Sequence, residues 1–383
     1  MKKLLFVVLS LVFTVAMFAG CGANTPQEST PAATEAPAAT EAPAATEAPA
    51  AEPVEGADKF RVGILFKTQN NPYFVDLAQK AQQYCEEAGF EVVGNQDAKQ
   101  DLESEFALME QYVSQGVDLV LWNPIDPKGS IAAADLCYEA GIPLIGIDNL
   151  CQSENMTTTV YSDNKANGYM AGQYVGNNYY KGETINSILL SGEKGNAVGQ
   201  ERRTGLMAGI IGSRAGLDET AAWAAAETMN QELTDNGKAY NEAADFYILG
   251  QGWGNWTSEE GLPAAEDLLV ANADKVNLVL GENDNMLLGA MTAIENGGLM
   301  DQVYIAAAAD GQKEAYKLIQ DGTKYIVTGL NAPPVIARGA VDIAIDILVN
   351  GVDPASYELT TTTPPAAITI ENVAEFYDPN ANF

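Results

Sequence analysis

The chain has 383 residues, 47% of them apolar, and carries a net charge of −32 from 20 basic and 52 acidic residues. That length suits about two domains, and so acidic a surface repels phosphate backbones and anionic lipid, which excludes nucleic-acid binding. There is no histidine, so the usual general base, the usual serine or cysteine triad and the commonest metal ligand are missing; that weighs against an enzyme while leaving carboxylate and lysine catalysis open, and no cofactor or metal is expected.

In chain order, Met1-Lys-Lys3 is a short basic region. Leu4 to Phe18 is an apolar run, short of the about 20 residues that span a bilayer, and Ala19-Gly20 precede Cys21. Residues 1–20 thus read as an export signal. Small residues directly before a cysteine resemble the bacterial lipobox, with Phe18 where leucine is usual. That resemblance implies a diacylated Cys21 as the mature N-terminus. Residues 21–57 follow as a tether: Ala-Ala-Thr-Glu-Ala-Pro occurs at 32–37, 38–43 and 44–49. Recurrent proline and few bulky apolar groups cannot offset the entropy of ordering, so the segment is an extended spacer. A long spacer after a lipid suits the outer face of a Gram-positive membrane.

The folded part starts near Asp58. Strand 61–66 precedes a helix over 72–88, whose apolar Phe74, Leu77, Ala78, Ala81, Tyr84, Cys85 and Ala88 keep a 3.6 period. Pro72 opens that helix and Gly89 closes it. Strand 90–93, helix 102–115, strand 117–122, helix 130–140 and strand 143–147 follow. The pattern then restarts: helix 166–180, strand 185–190, a glycine-rich loop and a helix across 202–211. Residues 215–243 read as an insertion with an Ala-rich helix at 219–230. Strand 246–249, helix 258–271, strand 277–280, helix 284–296, strand 303–307, helix 312–320 and strand 324–328 complete the series. Alternating strands and helices specify an α/β fold of two Rossmann-like lobes, each a parallel sheet with helices on both faces.

The strands share one habit. They run into Asn70-Asn71, Asn123, Asp148-Asn149, Glu282-Asn283-Asp284, Asp310 and Asn331. Open α/β sheets bind ligands outside the carboxyl ends of their strands. A ring of amides and carboxylates there suits a small neutral ligand rich in hydroxyls. Tyr73-Phe74 and the loop Gln251-Gly-Trp-Gly-Asn-Trp256 supply flat aromatic faces for the C–H faces of a sugar ring.

Other chemistry fits less well. Ser191-Gly-Glu-Lys-Gly-Asn-Ala-Val-Gly199 lacks the Gly-Lys-Ser/Thr ending of a phosphate-binding loop, and no window fits the calcium-loop pattern. A glycosidase pair needs two carboxyls about 5–9 Å apart, which spacing along a chain does not reveal. Cys85, Cys137 and Cys151 have no metal-site spacing and read as small buried hydrophobes; a single Cys85–Cys137 or Cys137–Cys151 bridge stays open.

Asn70-Asn-Pro-Tyr-Phe74, Gln115-Gly-Val-Asp-Leu-Val-Leu-Trp-Asn-Pro-Ile-Asp126, Ala140-Gly-Ile-Pro-Leu-Ile-Gly-Ile-Asp148, Glu282-Asn-Asp-Asn-Met286, Asp310-Gly311 and Asp321-Gly-Thr323 together resemble the ribose-type periplasmic sugar-binding proteins, the solute-binding subunits of ABC importers. The resemblance runs from about Lys59 onward, apart from 215–243. It implies a type I periplasmic-binding-protein fold whose lobes are joined by three crossovers, near Thr158, Asn331 and Thr361. The first lobe is then 58–158 plus 332–360, and the second 159–331 plus 361–383. It implies a ligand set of Asn71, Tyr73, Phe74 and Asp148 from the first lobe, and Arg202, Trp256, Asn283, Asp310 and Asn331 from the second. Arg203 is the alternative to Arg202.

Asn149 stands where ribose binders often carry arginine, and Asn331 where glutamine is frequent. A pocket with Asn149 in place of a guanidinium points to a ligand other than ribopyranose. The implied function is capture of a monosaccharide or polyol by a monomer, with delivery to an ABC permease and its cytoplasmic ATPase. A sensor presenting a sugar or furanosyl signal to a receptor, and a secreted carbohydrate-active enzyme, are the alternatives. A repressor of the same fold would need a basic headpiece, whereas here the signal and acidic tether occupy that place.

Overall fold

A computed structural model describes residues 53–383. The export signal, Cys21 and most of the tether lie outside the described residues. The chain runs β1 (Arg61–Phe66), α1 (Pro72–Ala88), β2 (Glu91–Asp97), α2 (Leu102–Gln115), β3 (Leu119–Asn123), α3 (Ile131–Glu139), β4 (Leu144–Ile147) and β5 (Thr158–Ser162). Next come α4 (Asn164–Asn178), β6 (Ile185–Ser191), α5 (Ala197–Ala215), α6 (Glu219–Asn236), β7 (Ala239–Asn241), β8 (Phe246–Trp253), α7 (Ser258–Asn272), β9 (Leu278–Gly281), α8 (Asp284–Asn296), β10 (Tyr304–Ala307), α9 (Lys313–Gln320) and β11 (Tyr325–Gly329). The chain then adds α10 (Pro333–Leu348), β12 (Thr360–Thr363) and β13 (Ala367–Thr369).

Two sheets result. The first has the order β12-β5-β4-β3-β1-β2, with every pair parallel. The second has the order β13-β11-β10-β9-β6-β8-β7, parallel except for β13 and β7 at its edges. Side chains alternate across each strand, so each sheet feeds two cores. Val62, Ile64 and Phe66 pack with α1 and α10 on one face, whereas Leu65, Val120 and Trp122 pack with α2 and α3 on the other. In the second sheet Ile188, Leu190 and Val279 meet α7 and α8, while Leu189, Leu278 and Leu280 meet α4, α5 and α6.

Strand order reverses beside β1 in the first sheet and beside β6 in the second. Those reversals open a crevice at the carboxyl ends, where α/β sheets hold ligands. The chain passes between sheets after Ser162, near Leu330 and after Thr363, a few residues from the expected Thr158, Asn331 and Thr361. The three passages are tied together. The Ser162 hydroxyl donates to Asn331 Oδ1 at 2.6 Å and lies 3.4 Å from both the Leu330 carbonyl and Thr363 Oγ1. Asn167 on α4 donates to the Leu330 carbonyl and accepts from the Ala366 amide.

One expectation needs correction. Residues 361–383 do not all belong to the second lobe: Phe376 and Tyr377 pack in its core, but Phe383 packs in the core of the first. The chain therefore passes between lobes a fourth time. Residues 215–243, read as an insertion, fold onto the second lobe. Ala226, Met229 and Leu233 of α6 pack in the second-lobe core, and β7 extends its sheet. Cys85, Cys137 and Cys151 are all free thiols, so neither bridge forms. Burial pushes the Cys85 and Cys137 thiols up to about 12, which keeps them protonated and inert.

Candidate functional site

One cavity of about 530 Å³, counting space open to solvent, lies at the facing strand ends. All ten sequence-derived residues line it: Asn71, Tyr73, Phe74, Asp148 and Asn149 from the first lobe, Arg202, Trp256, Asn283 and Asp310 from the second, and Asn331 at a passage between them. Lys67, Asn196, Val198, Asn285 and Phe383 complete the lining.

The polar groups form one chain across both lobes. The Tyr73 hydroxyl lies 2.7 Å from Asp148 Oδ1 and 3.1 Å from Asn331 Oδ1, and its single proton serves one of them at a time. Asn331 donates through Nδ2 to Asp310 Oδ1 at 3.0 Å. Arg202 Nη1 donates to the same Asp310 oxygen at 2.8 Å and to the Glu282 carbonyl at 3.2 Å, while its Nε donates to Asn164 at 2.8 Å. Arg202 and Asp310 are 4% and 5% exposed, so this ion pair is shielded from screening by salt. Burial alone would lower the Arg202 pKa. The Asp310 and Asp148 carboxylates outweigh it and hold the guanidinium above its usual range.

Local structure aims these groups. Asp148 follows β4 at φ 67°, and the Asn149 amide donates back to the Ile147 carbonyl at 2.8 Å. The resulting γ-turn is rare for a non-glycine residue, and such strain concentrates at ligand sites. Asn71 caps α1 by accepting from the Tyr73 amide, which fixes the first turn carrying Tyr73 and Phe74. Asp310 is held by Asp284, whose Oδ2 accepts from the amides of Asp310, Gly311 and Gln312 and whose Oδ1 accepts from Tyr325. Asn283 is a brace as well as a lining residue: its Oδ1 accepts from the Met286 amide and its Nδ2 donates to the Trp256 carbonyl.

The glycine-rich loop after β6 serves Trp256. A Cβ at Gly192 would lie 2.1 Å from the Trp256 ring, so only glycine lets the indole lie there. Glu282 fixes the same loop by accepting from the Gly192 amide at 2.8 Å. Arg203 pairs with that carboxylate at 2.9 Å and does not line the cavity, which decides between the two arginines. Gly205 explains the spacing after Arg202: a Cβ there would meet the Lys165 carbonyl at 2.6 Å. Close approach of α5 to α4 brings Arg202 to Asn164.

Not every strand-end group faces the cavity. Asn123 donates to the Ile147 carbonyl at 2.7 Å, and Glu282 and Asp284 act behind the lining residues. Asn149 spends one amide hydrogen on the Pro124 carbonyl at 3.0 Å, which leaves its second hydrogen and its oxygen for a ligand. Of the residues that sequence reasoning missed, Lys67 follows β1 directly and was open to the same strand-end rule. Asn196 caps α5 by accepting from the Gly199 amide, a role hidden in a loop weighed only for phosphate. Phe383 carried no local signal.

The lining holds two cations, Lys67 and Arg202, and two anions, Asp148 and Asp310. Burial lowers the Lys67 pKa, and Asp148 and Glu193 oppose that shift. A charge-balanced, amide-rich cavity walled by aromatics favours a neutral ligand with many hydroxyls and an apolar face.

Comparison with known proteins identifies the fold and the family. A ribose import binding protein of Bacillus subtilis is 26% identical over 348 residues, 91% of this chain and 94% of that relative. An ABC transporter solute-binding protein of Mycobacterium smegmatis, solved with bound glycerol, superposes with a TM-score of 0.68 at 24% identity, covering 84% of this chain and 98% of that one. A periplasmic solute-binding protein of Actinobacillus succinogenes, solved with bound D-allose, gives 0.66 at 23% identity, over 82% and 99%. Residues 62–351 match the model of the periplasmic binding protein domain. With its two parallel sheets and its crevice at their carboxyl ends, the chain belongs to the periplasmic binding protein family.

Proposed function

We propose that this chain is the solute-binding component of an ABC importer and captures a neutral monosaccharide or related polyol in the cleft between its lobes. Periplasmic binding proteins hold a solute without making or breaking a bond in it, so the chain is a binder and not an enzyme. The observation that carries the reading is the continuous chain from Asp148 through Tyr73, Asn331 and Asp310 to Arg202. Its carboxylates accept hydroxyls and its amides both donate and accept, while Tyr73, Phe74 and Trp256 offer apolar faces. The relative named for ribose import supports the ligand class. Sugar hydroxyls that bridge the lobes favour the closed state by hinge motion.

Trp256 provides the test. It is half-buried, and ligand binding in the cavity desolvates it. Intrinsic fluorescence changes on titration with the bound sugar, and Trp256→Phe removes most of that change. Trp223→Phe leaves it in place, because Trp223 stacks on Tyr169 and does not line the cavity. A signal that survives Trp256→Phe but is lost with Trp223→Phe places the ligand elsewhere.

Attachment is the second part of the proposal. Among the described residues no helix is long and apolar enough to cross a membrane. The small residues before Cys21 support a lipid anchor on that thiol, with the tether as spacer. Cys21→Ser is expected to release the protein or leave its signal uncleaved. Mature Cys21→Ser protein that still partitions with membranes contradicts the anchor.

A further inference from the structure

Residues 376–383 join the two lobes at the cavity. Phe376 and Tyr377 are set in the second-lobe core. Lys313, at the start of α9 in that lobe, donates to the Ala381 carbonyl at 2.5 Å. Asn382 donates to Gln79 on α1 of the first lobe at 3.5 Å. Phe383 then enters the first-lobe core, 7% exposed, with its ring edge-on to Tyr73 at 5.3 Å and 82°. It also lines the cavity, and its neighbour Tyr73 reaches Asp148 and Asn331. A purely structural plug would not need to open onto the polar lining.

We propose that Phe383 is a ligand-contacting, specificity-determining residue, carried to the cavity by the strap 378–383 on its fourth passage between lobes. The proposal rests on the sugar-binding reading. Phe383 supplies an apolar wall beside the Tyr73–Phe74 pair, itself edge-to-face at 5.3 Å. The wall sets how large a ring fits next to Asp148. Because the strap is held by both lobes, its position changes with closure, and a bound sugar meets a ring delivered from the second-lobe side.

Calorimetric titration of the full chain with ribose, allose, glucose and myo-inositol tests this. Phe383→Leu refills the apolar space without the flat face. It is expected to keep the apo melting temperature near that of wild type, yet weaken the tightest sugar about tenfold, the order of an aromatic contact added to lost area. Phe383→Trp narrows the cavity and reorders the series toward smaller ligands. A 4-fluorophenylalanine at 383, which keeps the packing, shifts its fluorine resonance on saturation with sugar. If the wild type binds while Phe383→Leu binds every sugar as tightly and the fluorine resonance does not move, the proposal is overturned and the sugar reading stands. If the wild type binds none of these four, nor galactose or xylose, both fall together.

Discussion

Asp148→Ala is expected to weaken sugar binding about 10–100-fold, since a carboxylate that accepts ligand hydroxyls contributes roughly 1.5–3 kcal/mol through charge-assisted hydrogen bonds. The apo fold should survive, because Asp148 sits in a turn, half-buried, with its open side on the cavity. Alanine tolerates that positive φ less well than aspartate, whereas removing a carboxylate whose burial opposes folding relieves a cost, so the net change in stability is small. Calorimetry against the tightest sugar, with circular dichroism of the apo protein, checks both. Unchanged affinity removes Asp148 from the site. The pH dependence has a defined sign. Burial raises the Asp148 pKa, while the Tyr73 hydrogen bond and the Arg202 charge oppose it. Sugar hydroxyls donate to the ionised form, so affinity is full above that raised value and falls as pH drops through it. The loss begins at higher pH than an ordinary carboxylate would give. Stability runs the other way. A raised native pKa means that the folded state holds the proton more tightly, so this group favours the fold as pH falls and opposes it above the folded value.

Arg202→Met is expected to cost more, and to cost the apo protein as well as the complex. The Arg202–Asp310 pair is almost wholly buried, and removing one partner strands a carboxylate, a loss of about 3–5 kcal/mol. Asn331 still donates to Asp310, and the Asp284 brace still holds its backbone, so the variant folds but unfolds at lower urea. Adding Asp310→Asn removes the stranded charge and restores part of the stability. It does not restore binding, since both groups line the cavity. Urea unfolding of the two single variants and the double variant measures the coupling. Additive losses would show that the pair does not act as a unit, and would contradict the network described above.

Much of this molecule was legible before its coordinates, for identifiable reasons. The helix over residues 72–88 carries both a 3.6 period and stop signals, and its bounds match those of α1. The strands of both sheets are short apolar runs, and the amides and carboxylates at their ends mark Asn71, Asp148, Asn149, Asn283, Asp310 and Asn331, whereas Arg202 and Trp256 were named from the family resemblance. Strands β5, β12 and β13 were missed because they carry weak apolar patterning. Thr360–Thr363 is all threonine, and its partner β5 lies some two hundred residues earlier, so tertiary pairing outweighs local pattern. Helix α10 lies beyond the last element of the predicted series, although Pro333 at its first turn is a start signal. The loop Ser191–Gly199 looked like a phosphate loop that lacked its ending, since nothing local shows that Gly192 leaves room for an indole 64 residues on. Phe383 is the extreme case: its site is built with Tyr73, and only the folded chain brings them together.

In the proposed function the cleft binds a neutral sugar or polyol reversibly, and Asn149 steers it away from ribopyranose. Isothermal titration of the intact apo protein with ribose, allose, glucose, galactose, xylose and myo-inositol, followed by recovery of the bound solute, measures both properties. Saturable one-site binding of at least one of them is expected, with the ligand recovered chemically unchanged and a preference over ribose that Asn149→Ala weakens. No binding across the series, a ligand returned as a different compound, or ribose binding tightest with a ranking indifferent to Asn149→Ala would contradict it.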